Sequence, residues 1–194
     1  MSSAGSNWLI LGGCGFIGRN LVTYLVNNKL ATKIRVADKS MPATSAMNAT
    51  HKAIFEQKDI VEFKQADLSK DDHVNRVFAD FNVDYVVNLC GETKFGLNEN
   101  EYKTKILDTA TKTGAAAAKA NVKKFVEIST AQIYNPDKSP SNEDQKQKPW
   151  TVQAKFRLQA EEALSKLQKE QDLRLVILRP ALVYGIGDLT SITP

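Results

Sequence analysis

At 194 residues the chain is long enough for one domain with a sizeable core, and 42% hydrophobic with 25% charged residues is a globular composition. A net charge of +4, carried by scattered basic residues and short pairs such as Lys123-Lys124, argues for solubility and a mild attraction for anionic ligands, and against a nucleic-acid surface. No apolar run approaches the roughly 20 residues a membrane helix needs, Met1–Asn7 lacks the charged start and apolar stretch of a secretory signal, and two distant cysteines, Cys14 and Cys90, suit free thiols in a reducing compartment, the cytoplasm.

Short β-like runs alternate with helical patterns along the chain. Trp8–Leu11 reads as an apolar strand, and Phe16–Asn27 as a helix with Ile17, Leu21, Tyr24 and Leu25 at helical spacing. Lys33–Ala37 is the second strand. Ser40 to about Thr50 is rich in Pro, Ser, Thr and Asn and reads as a loop. Ile60–Gln65 forms the third strand, and Asp71–Asp80 a short helix with Val74, Val77 and Phe78 on one face. Tyr85–Cys90 is apolar apart from Asn88, the pattern of a strand covered on both sides. A long helix over Glu99–Ala120 and a fifth strand over Lys124–Ser129 follow. Asn135–Pro149 is a polar loop, Thr151–Gln171 a helix and Leu173–Leu178 the sixth strand. Repeated strand–helix–strand order predicts an α/β fold, a doubly wound parallel sheet of Rossmann type with helices on both faces.

The stretch between the first strand and first helix places Gly12, Gly15 and Gly18 three apart. In a nucleotide-binding strand–helix–strand unit one glycine bends the turn, a second lets backbone approach a pyrophosphate, and a third lets helix and strand pack closely. The phosphates then sit on the N–H groups of the helix N-terminus, here Phe16, Ile17 and Gly18, where the dipole favours negative charge. Asp38 closes the second strand about twenty residues on, where a carboxylate holds ribose hydroxyls. A carboxylate there repels a 2′-phosphate, so NAD is preferred over NADP. The plain alternative is a glycine turn with no ligand.

The spacing Gly12-Gly13-Cys14-Gly15-Phe16-Ile17-Gly18 resembles that of the extended short-chain dehydrogenase/reductase superfamily, the NAD-dependent epimerase/dehydratase group. Asp67-Leu68 is similar to the family's adenine-contacting Asp, and Asn88-Leu89-Cys90-Gly91 to its Asn-x-Ala-Gly turn beside the cofactor. Ser129-Thr130-Ala131-Gln132-Ile133-Tyr134 resembles its Ser-Ser-x-x-Val-Tyr segment. Arg179-Pro180-Ala181-Leu182-Val183-Tyr184-Gly185 resembles its stretch beside the nicotinamide, which implies roles for Pro180 and Val183. The resemblance implies one dinucleotide-binding domain over residues 1–194, with the C-terminal substrate region largely absent. It implies NAD and a small-molecule substrate as ligands. It also implies a homodimer through helices 99–120 and 151–171.

The resemblance fails at the chemistry. The family uses a Tyr-x-x-x-Lys pair on the helix after the fifth strand, and no tyrosine lies between Tyr134 and Tyr184. One register puts Thr151 and Lys155 at the pair, the other Gln153 and Arg157. The second is preferred, because the first sends Glu161 and Glu162 towards the core, and burying charges is expensive. In either register the phenol is missing. Threonine and amide side chains are too weak as acids, and Arg157 stays charged while still able to bind ribose hydroxyls. Thr130 falls at the catalytic Ser/Thr, where its hydroxyl would hold a substrate oxygen, and the family's helical Asn would fall near Ile106.

Other residues read more plainly. Cys14 and Cys90 are small fillers beside the cofactor, though a thiol at a helix N-terminus favours the thiolate. His51 and His73 lie in polar stretches and are expected at the surface, with no metal site. Glu92 and Lys94, in the loop after the fourth strand, either touch substrate or are solvated. Two functions remain: an NAD-dependent oxidoreductase or epimerase acting on a sugar nucleotide or other secondary alcohol, or a non-catalytic dinucleotide-binding sensor or assembly subunit.

Overall fold

The computed structural model describes residues 5–135 and 142–189. Most of the N-terminal stretch, part of the polar loop before Pro149 and the last residues from Thr190 lie outside that set.

Six parallel strands run in the order β3-β2-β1-β4-β5-β6: β1 (Ser6–Leu11), β2 (Ala31–Asp38), β3 (Val61–Gln65), β4 (Tyr85–Asn88), β5 (Lys124–Ile128) and β6 (Leu175–Leu178). The order reverses between β1 and β4, which opens a crevice at their carboxyl ends. Helices cover both faces, as strand alternation requires. Leu9 and Leu11 pack on one side with residues of α3 (Asp71–Phe78), α5 (Thr109–Lys119) and α6 (Val152–Gln171). Ile10, Ile34 and Val36 pack on the other with α1 (Phe16–Asn27) and α2 (Ala49–Phe55).

The helix α1 has the expected bounds, and several strand ends differ by one or two residues. Two expectations need correction. The segment read as a loop from Ser40 to about Thr50 contains a 3-10 turn at Pro42–Thr44 and runs into α2. Asn48 caps that helix by accepting the His51 N–H at 2.8 Å, while Ile54 and Phe55 are buried. The long helix over Glu99–Ala120 is three pieces: α4 (Glu99–Tyr102), a π-helical stretch (Lys103–Asp108) and α5. The Thr109 hydroxyl donates across the wide stretch to the Thr104 carbonyl at 3.0 Å. Capping fixes the starts on this side of the sheet. Asn98 and Glu101 bond reciprocally at α4, and the Thr151 hydroxyl accepts the Ala154 N–H at 3.1 Å at the start of α6.

The reason given for the helix register is also corrected. Glu161 is buried, and it is not left unpaired. Arg179 meets its carboxylate through Nε at 3.2 Å to both oxygens and through Nη2 at 2.7 Å. A bidentate guanidinium makes the burial tolerable where apolar surroundings alone would not. The histidine reading fails for His51, which is 2% exposed. It packs under the segment 185–188, with Nε2 3.3 Å from Asn20 Oδ1, and its pKa is lowered by burial and then by the Arg19 charge. His73 is partly exposed, and its Nδ1 accepts the Asp67 N–H at 2.8 Å.

Candidate dinucleotide site

The glycine loop leaves β1 and enters α1 at the open end of the sheet. Gly12 turns there with φ +76°, a conformation that L side chains rarely adopt, and its N–H donates to Ala37 O at 2.8 Å. Gly18 has no room for a side chain: a Cβ would stand 2.5 Å from Gly13 Cα and 2.6 Å from Gly12 O. The helix therefore starts in contact with the turn. The first helical bond runs from Arg19 N to Gly15 O, and Gly15 caps without a side chain. Helix geometry thus leaves the Phe16, Ile17 and Gly18 N–H groups pointing out of the N-terminus, ready for an anion.

Asp38 stands across from this turn. Its Oδ2 accepts the Cys14 N–H at 3.0 Å and its Oδ1 the Ser40 N–H at 2.9 Å. Burial raises its pKa, against the opposing effect of those N–H groups. Each oxygen keeps a lone pair for further donors. Cys14, Gly15, Asp38, Ser40, Ser45 and Ala46 line a cleft of about 260 Å³ beside it. A diphosphate with an adenosine fits this pairing of N–H groups and carboxylate. Asp67 lies on the next strand's exit. Burial alone would raise its pKa, but the Ser69 hydroxyl and N–H and the Lys39 ammonium at 3.2 Å hold it low. Leu68 points into the core and offers only backbone to a ligand.

The β4 exit forms the wall between the two halves of the crevice. Asn88 is buried, and its Oδ1 accepts the Cys90 N–H at 3.1 Å. Leu89 and Cys90 pack against the two core clusters. Burial pushes the Cys14 thiol up to about 12 and the Cys90 thiol higher, each reinforced by Asp38. Both therefore stay protonated near neutral pH, burial outweighing the helix N-terminus that favours a thiolate at Cys14. No group of three or more His, Cys, Asp or Glu side chains able to hold a metal occurs among the described residues.

At the far end α6 supplies Gln153 and Arg157. Arg157 Nη1 donates to Ile128 O at 2.8 Å and to Glu127 Oε1 at 3.2 Å, and its Nη2 packs on Gly91. Gln153 Nε2 donates to Lys94 O at 3.3 Å and to the Tyr102 hydroxyl at 3.4 Å. The same hydroxyl donates to Lys94 O at 2.7 Å. Lys155 faces away from this cluster, 48% exposed and paired with Glu99 at 3.4 Å. Thr151 serves as the helix cap. Thr130 caps a short 3-10 turn, its hydroxyl accepting the Gln132 N–H at 3.2 Å, while the neighbouring Ser129 hydroxyl is buried without a partner. Glu92 is tied to Lys105 at 2.7 Å. Pro180 O accepts the Ala131 N–H at 2.9 Å, joining the 179–188 segment to the β5 exit, and Val183 lies half-exposed on that segment.

Sequence reasoning missed Glu127 and Tyr102. Glu127 had a signal. It shares a face with Phe125 in a strand covered on both sides, so a charge there is a buried charge. Tyr102 carried none, because its partners come from a loop and a distant helix.

This geometry is that of a dinucleotide-binding α/β domain, and comparison with known proteins makes the assignment narrower. The model of the NAD dependent epimerase/dehydratase family matches residues 8–193; the chain belongs to that family. A bifunctional UDP-glucose 4-epimerase and UDP-xylose 4-epimerase 1 from Pisum sativum is 29% identical over 186 residues, 92% of this chain and 53% of that protein. A decarboxylating sterol-4-alpha-carboxylate 3-dehydrogenase from Candida albicans is 28% identical over 196 residues, 97% of this chain and 53% of that one. The chain spans about half the length of the curated relatives it matches. Among solved structures, the UDP-glucuronic acid 4-epimerase of Bacillus cereus in complex with NAD superposes with a TM-score of 0.82 at 23% identity, covering 94% of this chain and 59% of that one. The Bordetella bronchiseptica enzyme WbmG in complex with NAD and UDP gives 0.76 at 22% identity, covering 91% and 53%. These two likenesses concern the fold. No helix among the described residues is long and apolar enough to cross a membrane.

Proposed function

We propose that the chain binds NAD and that its substrate class is a nucleoside-diphosphate sugar or another secondary alcohol. The observation that carries this reading is the pairing of the Gly12–Gly18 turn with Asp38, whose carboxylate is pinned by the Cys14 N–H. In this reading the Phe16, Ile17 and Gly18 N–H groups hold the diphosphate. Asp38 accepts from the adenosine ribose, and Asp67 lies towards the adenine. Leu89, Cys90 and Gly91 form the floor, and Pro180 and Val183 flank the nicotinamide end. Bound NAD supplies a hydride acceptor. The side chains must then move a proton at the substrate hydroxyl, and here Thr130 orients that oxygen while Arg157 holds ribose hydroxyls. Named relatives act on UDP-sugars, which supports the substrate class.

NADH titrated by fluorescence against wild type and Asp38→Ala tests the reading. Loss of two charge-assisted hydrogen bonds weakens binding about a hundredfold. Equal affinities would remove Asp38 from the site.

A second reading, binding without turnover, is favoured by one observation. The amide N–H groups of Gln153, which takes the place of the family's proton-transferring tyrosine in the preferred register, are engaged with Lys94 and Tyr102. An amide does not exchange protons usefully near neutral pH. Single-turnover absorbance at the NADH band across a panel of UDP-sugars separates the two readings: reduced cofactor appears if the chain oxidises a substrate. We further infer a homodimer through α4–α5 and α6, by analogy with the superfamily. The two free cysteines suit a reducing compartment such as the cytoplasm.

A further inference from the structure

Glu127 is 1% exposed, near the carboxyl end of β5, and carries two bonds that converge on the cleft. Its Oε2 accepts the Asn88 Nδ2–H at 2.7 Å, and its Oε1 the Arg157 Nη1–H at 3.2 Å. Asn88 in turn holds the Cys90 N–H. One buried carboxylate thus ties the exit of β4, the exit of β5 and the inner face of α6. The rest of the guanidinium is pressed onto Gly91, leaving no space for a side chain there. A carboxylate this deep is expensive unless it has a task or strong partners. Its partners are an amide and one arm of a fork whose other arm reaches the cleft wall.

We propose that Glu127 is a positioning residue: with Asn88 it fixes the Arg157 guanidinium against Gly91, so that the fork presents its remaining N–H groups to the nicotinamide-side ribose of a bound dinucleotide. The inference rests on the NAD-binding reading above. It goes beyond that reading by assigning the orientation of the fork to a strand residue that does not itself touch the ligand. A lysine could not serve the same arrangement, since one ammonium cannot span Glu127, Ile128 O and the cleft in a planar fork. The groups facing Glu127 are Arg157 and Glu161 from α6, Asn88 from β4 and Cys90 from the turn that follows it. Of these, Arg157 favours its charged form and Glu161 opposes it.

The test compares NADH with ADP, which lacks the nicotinamide half. Calorimetric titrations of wild type, Glu127→Gln, Arg157→Leu and the Glu127→Leu/Arg157→Leu pair measure both affinities. Glu127→Gln is expected to weaken NADH about tenfold, about 1.4 kcal/mol, and to leave ADP within about twofold. Arg157→Leu does the same, and adding Glu127→Leu to it causes no further loss, because Glu127 acts only through the guanidinium. A pH series adds a readout that a purely structural role would not move. As pH falls through about 7 and Glu127 takes up a proton, wild type loses NADH affinity relative to ADP, and Glu127→Gln shows a flat ratio. NADH affinity unchanged in Glu127→Gln, or NADH and ADP falling together, overturns the proposal while leaving the NAD reading intact. A further loss from Glu127→Leu on the Arg157→Leu background also overturns it, and this comparison stands even if Glu127→Gln fails to fold. Wild type that binds neither ligand overturns both.

Discussion

Alanine at Gly18 sets two effects against each other at one atom. Replacing a helical glycine by alanine gains about 1 kcal/mol of helix propensity. The same Cβ would meet Gly13 Cα at 2.5 Å and Gly12 O at 2.6 Å, and both neighbours are backbone. No rotamer change relieves that contact, so helix and turn must separate by about 1 Å to restore ordinary packing. Overpacking of this kind costs about 1–3 kcal/mol, which leaves a net loss near 1 kcal/mol. In a domain of this size that lowers Tm by about 3 °C. Binding suffers far more than folding. A 1 Å retreat of the helix start carries the Phe16, Ile17 and Gly18 N–H groups beyond hydrogen-bond distance of a diphosphate seated on the turn. Losing one or two such bonds to an anion, each about 1.5–3 kcal/mol, weakens ADP and NADH alike by roughly a hundredfold. Differential scanning calorimetry and fluorescence titration on Gly18→Ala measure the two effects. An ADP affinity within twofold of wild type would refute the reasoning, since it would mean that the phosphates do not sit on this helix start.

Glu161→Ala leaves Arg179 without its bidentate partner at the edge of the core, and is expected to cost about 3–5 kcal/mol in urea unfolding. Glu161→Leu with Arg179→Met restores most of that loss, because replacing a buried pair by apolar side chains is close to neutral. Burial raises Glu127 from the ordinary carboxylate value to about 7, so the folded state prefers it protonated. Its contribution to stability is therefore complete below the unfolded value of 4.5 and is lost as pH rises through about 7. Tm measured across that window falls more steeply in wild type than in Glu127→Gln, and equal slopes would show that Glu127 is not the group titrating.

The elements legible in the sequence were those whose signal is local. The run Trp8–Leu11, the glycine turn and the periodic Phe16–Asn27 helix specify one another within twenty residues, so the first half of the crevice follows from pattern and turn chemistry. The helix α2 was lost because Pro, Ser, Thr and Asn dominate the approach to it. Asn48 is both a loop residue by composition and the cap that starts the helix. What failed outright were charges whose partners lie far along the chain. Arg179 stands 18 residues from Glu161 and Arg157 30 residues from Glu127, and the segment covering His51 comes from near the end of the described chain. The rule that buried charges are expensive was too simple a ground for choosing the helix register. Glu161 is buried, and what makes that tolerable is a fork from the β6 exit that no periodicity reveals.

The two ends of the crevice rest on different materials. At the end proposed for the diphosphate, the turn offers backbone N–H donors, held by a φ that only glycine adopts easily and by a contact that only glycine permits. Such a site tolerates wide change around it, because almost no side chain is spent on it; Asp38 is the exception, and it is itself fastened to the turn. At the other end every donor is a side chain, so one replacement alters the requirements of its neighbours. A guanidinium at position 157 brings a fixed charge and a planar fork, and a carboxylate at position 127 answers both. Gln153 then has no charged partner to tune it and turns its amide towards Lys94 and Tyr102. The side chains at 127 and 157 thus form one connected unit with Gln153 beside it, and they leave the diphosphate turn untouched because nothing in that turn depends on them.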